Sequence, residues 1–301
     1  MDSKIEHKNG ILDTRLLPDD AFNKLWDGII LDQEEKDRLL AQAVLNFTLR
    51  PKVNRAALPL HGVILLVGAP GTGKTSLARG LASRTAEIIS GLGKFRYVEV
   101  EPHSLTSSAL GKSQKAVTDL LGGTIAEYAA TGPVIVLLDE VETLATDRSK
   151  LSLEANPVDV HRATDAVLAQ LDYLAESAPN LLFIATSNYP KAIDEAFLSR
   201  SDLTVSLNLP SREACRAILC DTLKAVAAHF PQVNKLITDP GFDQVISMCV
   251  GLDGRRIRKL VAAACTYSKQ TSLDLNQLEM TDLIRAAQHE QQLLVTKGVN
   301  L

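Results

Sequence analysis

Short, continuously apolar runs punctuate the first two-thirds of the chain: Val63–Val67, Tyr97–Val100, Val134–Leu138, Leu181–Ala185 and Thr204–Leu209. Runs of this length predict strands covered on both faces, as in a parallel sheet between helical layers. The stretches between them have helical spacing. Leu40, Ala43, Val44 and Phe47 mark a helix over Glu34–Leu49 that Pro51 ends. Val117, Leu120, Leu121, Ile125 and Tyr128 mark a second helix, weakened in its middle by Gly122 and Gly123. Ala163, Val167, Leu171 and Leu174 mark a third. Alternation of this kind predicts an α/β three-layer domain. After Pro210 no strand pattern appears; Ile257, Leu260, Val261 and Ala264 form a helical stripe, and Thr281–Leu293 reads as a further helix. The division is therefore expected at Leu209–Pro210: residues 1–25 as a loose polar lead-in, 26–209 as the α/β domain and 210–301 as a small all-helical domain.

Composition narrows the classes. Of 301 residues, 46% are hydrophobic and 23% charged, which excludes a disordered or fibrous chain. The net charge of −4 argues against a nucleic-acid partner as the default. No apolar run approaches the roughly 20 residues of a membrane span, so no membrane association is expected. The charged start Met1–Glu6 lacks a signal-peptide core, and a cytoplasmic chain is expected. Cys215, Cys220, Cys249 and Cys265 form no C-x-x-C pair and are expected to be buried, reduced thiols.

The candidate chemistry begins directly after the Val63–Val67 run. Gly68-Ala69-Pro70-Gly71-Thr72-Gly73-Lys74-Thr75 fits G-x-x-x-x-G-K-[ST] and leads into a helical segment from Ser76. Glycines let successive backbone N–H groups turn inward around a phosphate, and the helix N-terminus faces the same anion. Residues Ala69 to Ser76 are the expected nucleotide-binding segment, with Lys74 on the β- and γ-phosphates of ATP and the Thr75 hydroxyl on Mg²⁺. The Val134–Leu138 run ends in Asp139-Glu140, expected to hold Mg²⁺ and to act as general base, respectively. Asn188, after the Leu181–Ala185 run, suits a residue that orients the lytic water, although an Asn after a strand also suits a turn. Arg200 fits either a trans-acting finger on a neighbouring subunit's ATP or a solvated surface arginine. Arg255, opening a helix as Gly254-Arg255-Arg256-Ile257-Arg258-Lys259, fits a γ-phosphate sensor; a basic face for nucleic acid is the alternative, and Arg256, Arg258 and Lys259 receive no role.

The order of these motifs resembles an AAA+ ATPase, and within that superfamily the HORMA-remodelling ATPases of the pachytene-checkpoint and thyroid-receptor-interactor type. The stretches carrying the resemblance are Leu25-Trp26-Asp27, the Gly68–Leu77 loop, His103-Ser104-Leu105 and Leu138–Glu142, then Ala166–Asp172, Ala185–Asn188, Gly251-Leu252 and Gly254-Arg255, over roughly residues 25–295. The resemblance implies a homohexamer with ATP between subunits, which pulls a peptide into a central pore. It places a first pore loop at Ser107–Lys112, where eukaryotic members carry an aromatic–apolar pair and this chain has Ala109-Leu110, and a second at Lys150–Asn156. It further implies a HORMA-domain substrate, bound or not to a nucleotidyltransferase of anti-phage signalling. The short stretch before the ATPase resembles a bacterial relative without the eukaryotic adaptor-binding domain. Two rivals remain: a DNA-associated AAA+ protein (initiator, loader or transposition helper), supported by the Arg255–Lys259 cluster, and a nucleotide-gated scaffold without turnover, disfavoured by the presence of Glu140.

Overall fold

The computed structural model describes residues 10–105, 112–145 and 157–296. The chain divides into two compact units, one of residues 1–68 with 74–207, the other of residues 208–301 with 69–73.

The first unit is built on a six-stranded sheet in the order β1-β3-β4-β5-β2-β6. The strands are β1 (Ile11–Leu17), β2 (Val63–Gly68), β3 (Phe95–Val100), β4 (Val134–Leu138), β5 (Leu181–Ser187) and β6 (Leu203–Leu207). All neighbouring pairs are parallel except β1 with β3. The central strands are apolar on both faces because each face buries a separate core. Val63, Leu65 and Val67 pack with Val134, Val136 and Leu138 on one side; Ile64 and Leu66 pack with Ile135, Leu137, Leu182 and Ile184 on the other.

The second of these cores is closed by α1 (Asp20–Gly28), α2 (Gln33–Thr48) and α3 (Lys74–Ile88). The first core is closed by α4 (Pro102–Leu105), α5 (Lys112–Thr118), α6 (Ala126–Thr131) and α7 (Pro157–Ser177), while α8 (Glu195–Leu198) precedes β6. Between α5 and α6 the chain winds as a π-helix over Asp119–Ile125, centred on the glycine pair Gly122-Gly123. The expected apolar stripe is present, with Val117, Leu120, Leu121 and Ile125 buried, but the glycines give up the α-helical winding.

Residues 11–28 correct the expectation of a loose lead-in. Residues 11–17 form an antiparallel edge strand, with Thr14 opposite Val98, and Asp19 caps α1 by accepting from Phe22 N. The sequence hid this strand because only its partner β3 selects it; its own alternation is weak. Trp26 of α1 packs so closely on α3 that a Cβ at Gly80 would stand 2.8 Å from the Trp26 backbone.

The second unit is helical: α9 (Arg212–Ala227), α10 (Phe242–Cys249), α11 (Gly254–Ala264), α12 (Lys269–Leu273) and α13 (Met280–Thr296), with a 3-10 turn over Pro231–Thr238. Its core joins Ile218, Leu219 and Leu223 to Val245, Ile246, Ile257, Leu260, Val261 and Leu283. Three of the expected thiols, Cys215, Cys249 and Cys265, are buried here, and burial pushes that of Cys249 up to about 12; Cys220 is partly exposed. Among the described residues no helix is long and apolar enough to cross a membrane.

Candidate functional site

In an open parallel sheet the carboxyl ends of the strands are where loops can converge on a ligand. Here β4, β5 and β2 are neighbours, so the segments following Leu138, Ser187 and Gly68 emerge side by side. Register completes the arrangement. Leu138 pairs with Ala185, so the next residues, Asp139 and Thr186, stand together.

The loop after β2 turns through glycines at positive φ, Gly71 at +84° and Gly73 at +94°, where a side chain would be strained. The Thr72 hydroxyl donates to the Ala69 carbonyl at 2.9 Å, tightening the turn. Ala69 and Pro70 are exposed, and α3 starts at Lys74. Lys74 is 5% exposed, and its Nζ donates to the Gly68 carbonyl at 2.8 Å, which holds the ammonium at the strand end. One residue on, the Thr75 hydroxyl lies 3.0 and 3.2 Å from the two Asp139 carboxylate oxygens. Ser76 follows on the same helical turn, half-buried.

Asp139 is held from a second direction by Thr186, whose hydroxyl donates to Asp139 Oδ1 and accepts from Glu140 N at 3.1 Å. Glu140 itself is exposed and left-handed, with φ +54°, the single non-glycine residue with positive φ among the described residues. Such a backbone costs on the order of 1–3 kcal/mol and is kept where the surroundings over-determine it. Its effect is to turn the Glu140 side chain off the strand direction. Asn188 then reaches across from the end of β5: its Nδ2 donates to Glu140 Oε1 at 3.0 Å, and its backbone N donates to Glu142 Oε1 at 3.0 Å. Two hard-oxygen donors (Thr75, Asp139), a buried cation (Lys74) and an oriented carboxylate (Glu140) thus meet at one strand edge. The donor set fits Mg²⁺, which prefers carboxylate, hydroxyl and phosphate oxygens.

Arg200 stands apart from this group. Arg200 lies in the turn before β6. Asp202, two residues on, donates its backbone N to Val63 O at 2.8 Å and accepts from the backbone N–H of His61, Gly62 and Val63. Arg200 therefore sits at the start of β2, whereas Gly68 and Lys74 sit at its end. Six residues of strand separate the two by about 17 Å. Arg200 is also paired within its own chain, side-on to Asp172 of α7 at 2.9 and 2.6 Å. Arg255 is exposed on the first turn of α11, which Asp253 caps by accepting from Arg256 N. The basic run around it is not one open face: Arg256 approaches Asp253 and Glu290, Ile257 is buried, and Arg258 reaches Thr222. Ala109 and Leu110, like the second expected loop at Lys150–Asn156, lie outside the described residues.

Sequence reasoning assigned nothing to Thr186, Glu142 or Asp172. Thr186 was findable from the Ala185–Asn188 stretch once the β4–β5 register was known. Asp172 closes one of the stretches that carry the resemblance, but nothing local gave it a role, because its partners are distant in the chain.

Residues 64–209 match the ATPase family associated with various cellular activities (AAA). The CD-NTase-associated protein 6 of Pseudomonas aeruginosa is 59% identical over 282 residues, 94% of this chain and 92% of that protein. A pachytene checkpoint protein 2 homologue from Danio rerio is 31% identical over 286 residues, 86% of this chain and 66% of that protein. The chain thus spans about two-thirds of the length of that relative. Among solved structures, a chain of the E. coli MS115-1 HORMA:CdnC:Trip13 complex has the same fold, with a TM-score of 0.70 at 18% identity, over 93% of this chain and 95% of that one.

Proposed function

From the premise that this chain belongs to the AAA family and is an ATPase, we propose that it is an ATP-driven, homohexameric remodeller that opens or disassembles closed HORMA-domain complexes, with a nucleotidyltransferase of bacterial anti-phage signalling as the associated partner. The observation that carries the reading is the match to CD-NTase-associated protein 6 over nearly the full length of both chains. The motif resemblance to HORMA-remodelling ATPases supports it, as does a neighbour of the same fold solved in a HORMA:CdnC:Trip13 complex.

The catalytic reading follows the strand edge. Lys74 supplies positive charge to the β- and γ-phosphates of ATP, which the loop backbone from Ala69 to Gly73 and the first turn of α3, Thr75-Ser76, cradle. Thr75 and Asp139 would hold Mg²⁺, which when bound neutralises charge on the phosphate oxygens. Glu140 takes the proton of the attacking water as its oxygen approaches the γ-phosphorus. Asn188, donating to Glu140 Oε1, fixes the direction in which that carboxylate points. Thr186 fixes Asp139 and the Glu140 backbone together, so that the metal ligand and the base move as one.

Arg200 acts on a neighbour's nucleotide. Its position at the opposite end of β2 from Gly68 puts its own γ-phosphate site beyond reach of an arginine side chain, and a ring is the arrangement in which that position becomes useful. Arg255 acts as the lid's sensor of the γ-phosphate. Ala109 and Leu110 are the substrate-gripping pair; an apolar side chain can hold any unfolded segment without reading its sequence, although this pair buries less area than an aromatic one. A folded edge held by about 5–15 kcal/mol is within reach of several ATP turnovers.

Release of a fluorescent peptide from a closed HORMA partner tests the reading. The wild-type ring with ATP is expected to release the peptide, and Leu110→Glu is expected to hydrolyse ATP normally without releasing it. Normal ATP turnover by the wild type without release, or equal release by Leu110→Glu, would overturn the pulling mechanism. The Glu140→Gln chain, which should bind ATP without hydrolysing it, is expected to retain the HORMA protein in a pulldown.

A further inference from the structure

At the opening end of β2, away from the phosphate loop, four charged or titratable side chains from three distant segments converge. Asp172 of α7 is the hub. It accepts from Arg200 Nε at 2.9 Å and from Arg200 Nη2 at 2.6 Å, the parallel two-bond geometry in which a guanidinium has a single orientation. A third donor, Arg200 Nη1, bonds the Ala196 carbonyl at 2.7 Å. On its other side Asp172 faces Arg55 at 3.5 Å and His61 at 3.3 Å, while its backbone carbonyl accepts from Arg55 Nη1 at 3.2 Å. Arg55 in turn lies 2.8 Å from His61 Nε2. Arginine has no acceptor, so in the tautomer protonated at Nδ1 that ring nitrogen accepts from Arg55. The Arg200 pairing holds the Asp172 carboxyl below its ordinary range.

A guanidinium carries five N–H groups. Three are engaged by Asp172 and Ala196, and these bonds fix the group's plane while using only part of its donor set. An arginine so held meets an anion already ordered, whereas an untethered one must lose its rotamer entropy at the moment it engages.

We propose that Asp172 is the positioning residue for Arg200: it holds the finger oriented within its own subunit so that the remaining donors meet the transition state in the neighbour's site. This rests on the reading of Arg200 as a trans-acting residue. Asp172 touches no substrate and acts only through Arg200.

Three features of turnover are expected. Asp172→Asn keeps the shape but loses the charge and one acceptor oxygen, and kcat for ATP should fall about 30-fold, the equivalent of about 2 kcal/mol at 1.36 kcal/mol per tenfold. KM should hold within about twofold, because the lost interaction belongs to the transition state. Asp172→Glu, which keeps a two-oxygen acceptor, should recover most of the rate.

The decisive measurement is made on mixed rings, co-expressed with two tags and purified through both. A Glu140→Gln subunit hydrolyses ATP more slowly by about 10²-fold or more but carries an intact Asp172–Arg200 pair. Placed beside an Asp172→Asn subunit, it should restore turnover at the neighbour's intact Glu140, as it should beside Arg200→Ala. A merely structural lesion at Asp172 stays in its own subunit and is not rescued this way. Arg55→Gln, which removes the other cation from the hub, should lower the thermal midpoint while keeping kcat within about threefold of wild type. Wild-type kcat in Asp172→Asn, a rise in kcat, or a loss that Glu140→Gln subunits do not rescue would each overturn the positioning role. If Arg200→Ala itself were unimpaired or unrescued, the trans-acting reading would fall first, whatever Asp172→Asn does.

Discussion

The two ends of β2 carry charged clusters of opposite design. At the closing end, around Gly68, the participants are near each other in structure because they follow three adjacent parallel strands, and each is announced by an apolar run. The cluster is partly exposed and pre-strained, with Glu140 held at positive φ. At the opening end, around Val63, the cluster joins Arg55, His61, Asp172 and Arg200 through side-chain geometry alone. The first cluster carries the donor set that fits a nucleotide and its metal. The second cannot reach that site, and its pairing serves to hold rather than to react. A strand of six residues thus separates the candidate nucleotide site from Arg200, and on the reading proposed above it is a neighbouring subunit's nucleotide that Arg200 meets.

The largest effects are expected at the closing end. Lys74→Ala should abolish nucleotide binding, measured with a fluorescent ATP analogue. Glu140→Gln should retain that binding and slow steady-state hydrolysis by about 10²-fold or more. If its turnover matched wild type, the base would lie elsewhere. Arg200→Ala should also lower turnover by about 10³-fold, the lower end of what such fingers supply, and unlike Lys74→Ala it should be rescued in mixed rings by Glu140→Gln partners. That contrast separates the two ends of the strand.

A middle-sized effect is expected for Asn188→Ala. Removing the amide that donates to Glu140 Oε1 should cost about tenfold in kcat with ATP affinity unchanged, since only the orientation of the base is lost. Equal losses in binding and turnover would instead place Asn188 on the nucleotide. Gly80→Ala tests the scaffold behind both ends. Its methyl must displace the Trp26 backbone of α1, and a loss of about 1–3 kcal/mol, with a thermal midpoint lowered by several degrees, is expected.

The smallest effect concerns pH at the opening end. Burial, and then Arg55, lower the His61 pKa below its ordinary 6.5. Between that value and 6.5 the folded chain binds fewer protons than the unfolded one, so stability falls as pH drops below about 6.5. Asp172 is shifted down from 3.8, chiefly by its Arg200 bonds, so its contribution is present above that pH and is lost only as pH falls further. Urea midpoints between pH 7.5 and 5.5 should decline in wild type, and the decline should be shallower in His61→Gln. An unchanged slope would remove His61 from the cluster's electrostatics.

What could be read from the residues was whatever the chain writes locally. The loop Gly68–Thr75, the Asp139-Glu140 ending, Asn188 and the five apolar runs are each contiguous, and each carries its physics in spacing that needs no neighbour: glycines where φ must be positive, carboxylates where an apolar strand stops. The helical second unit was legible for the same reason, through the Ile257–Ala264 stripe. What the tertiary structure decided was everything set by strand order. The strand at Ile11–Leu17 exists because β3 offers it an edge. Thr186 joins the site because Leu138 and Ala185 share a register. Asp172 meets Arg200, Arg55 and His61 across separations that reach 117 residues, where no periodicity or motif operates. Side chains that far apart along the chain become partners only when the order of a parallel sheet brings the start of one strand beside the turn before another.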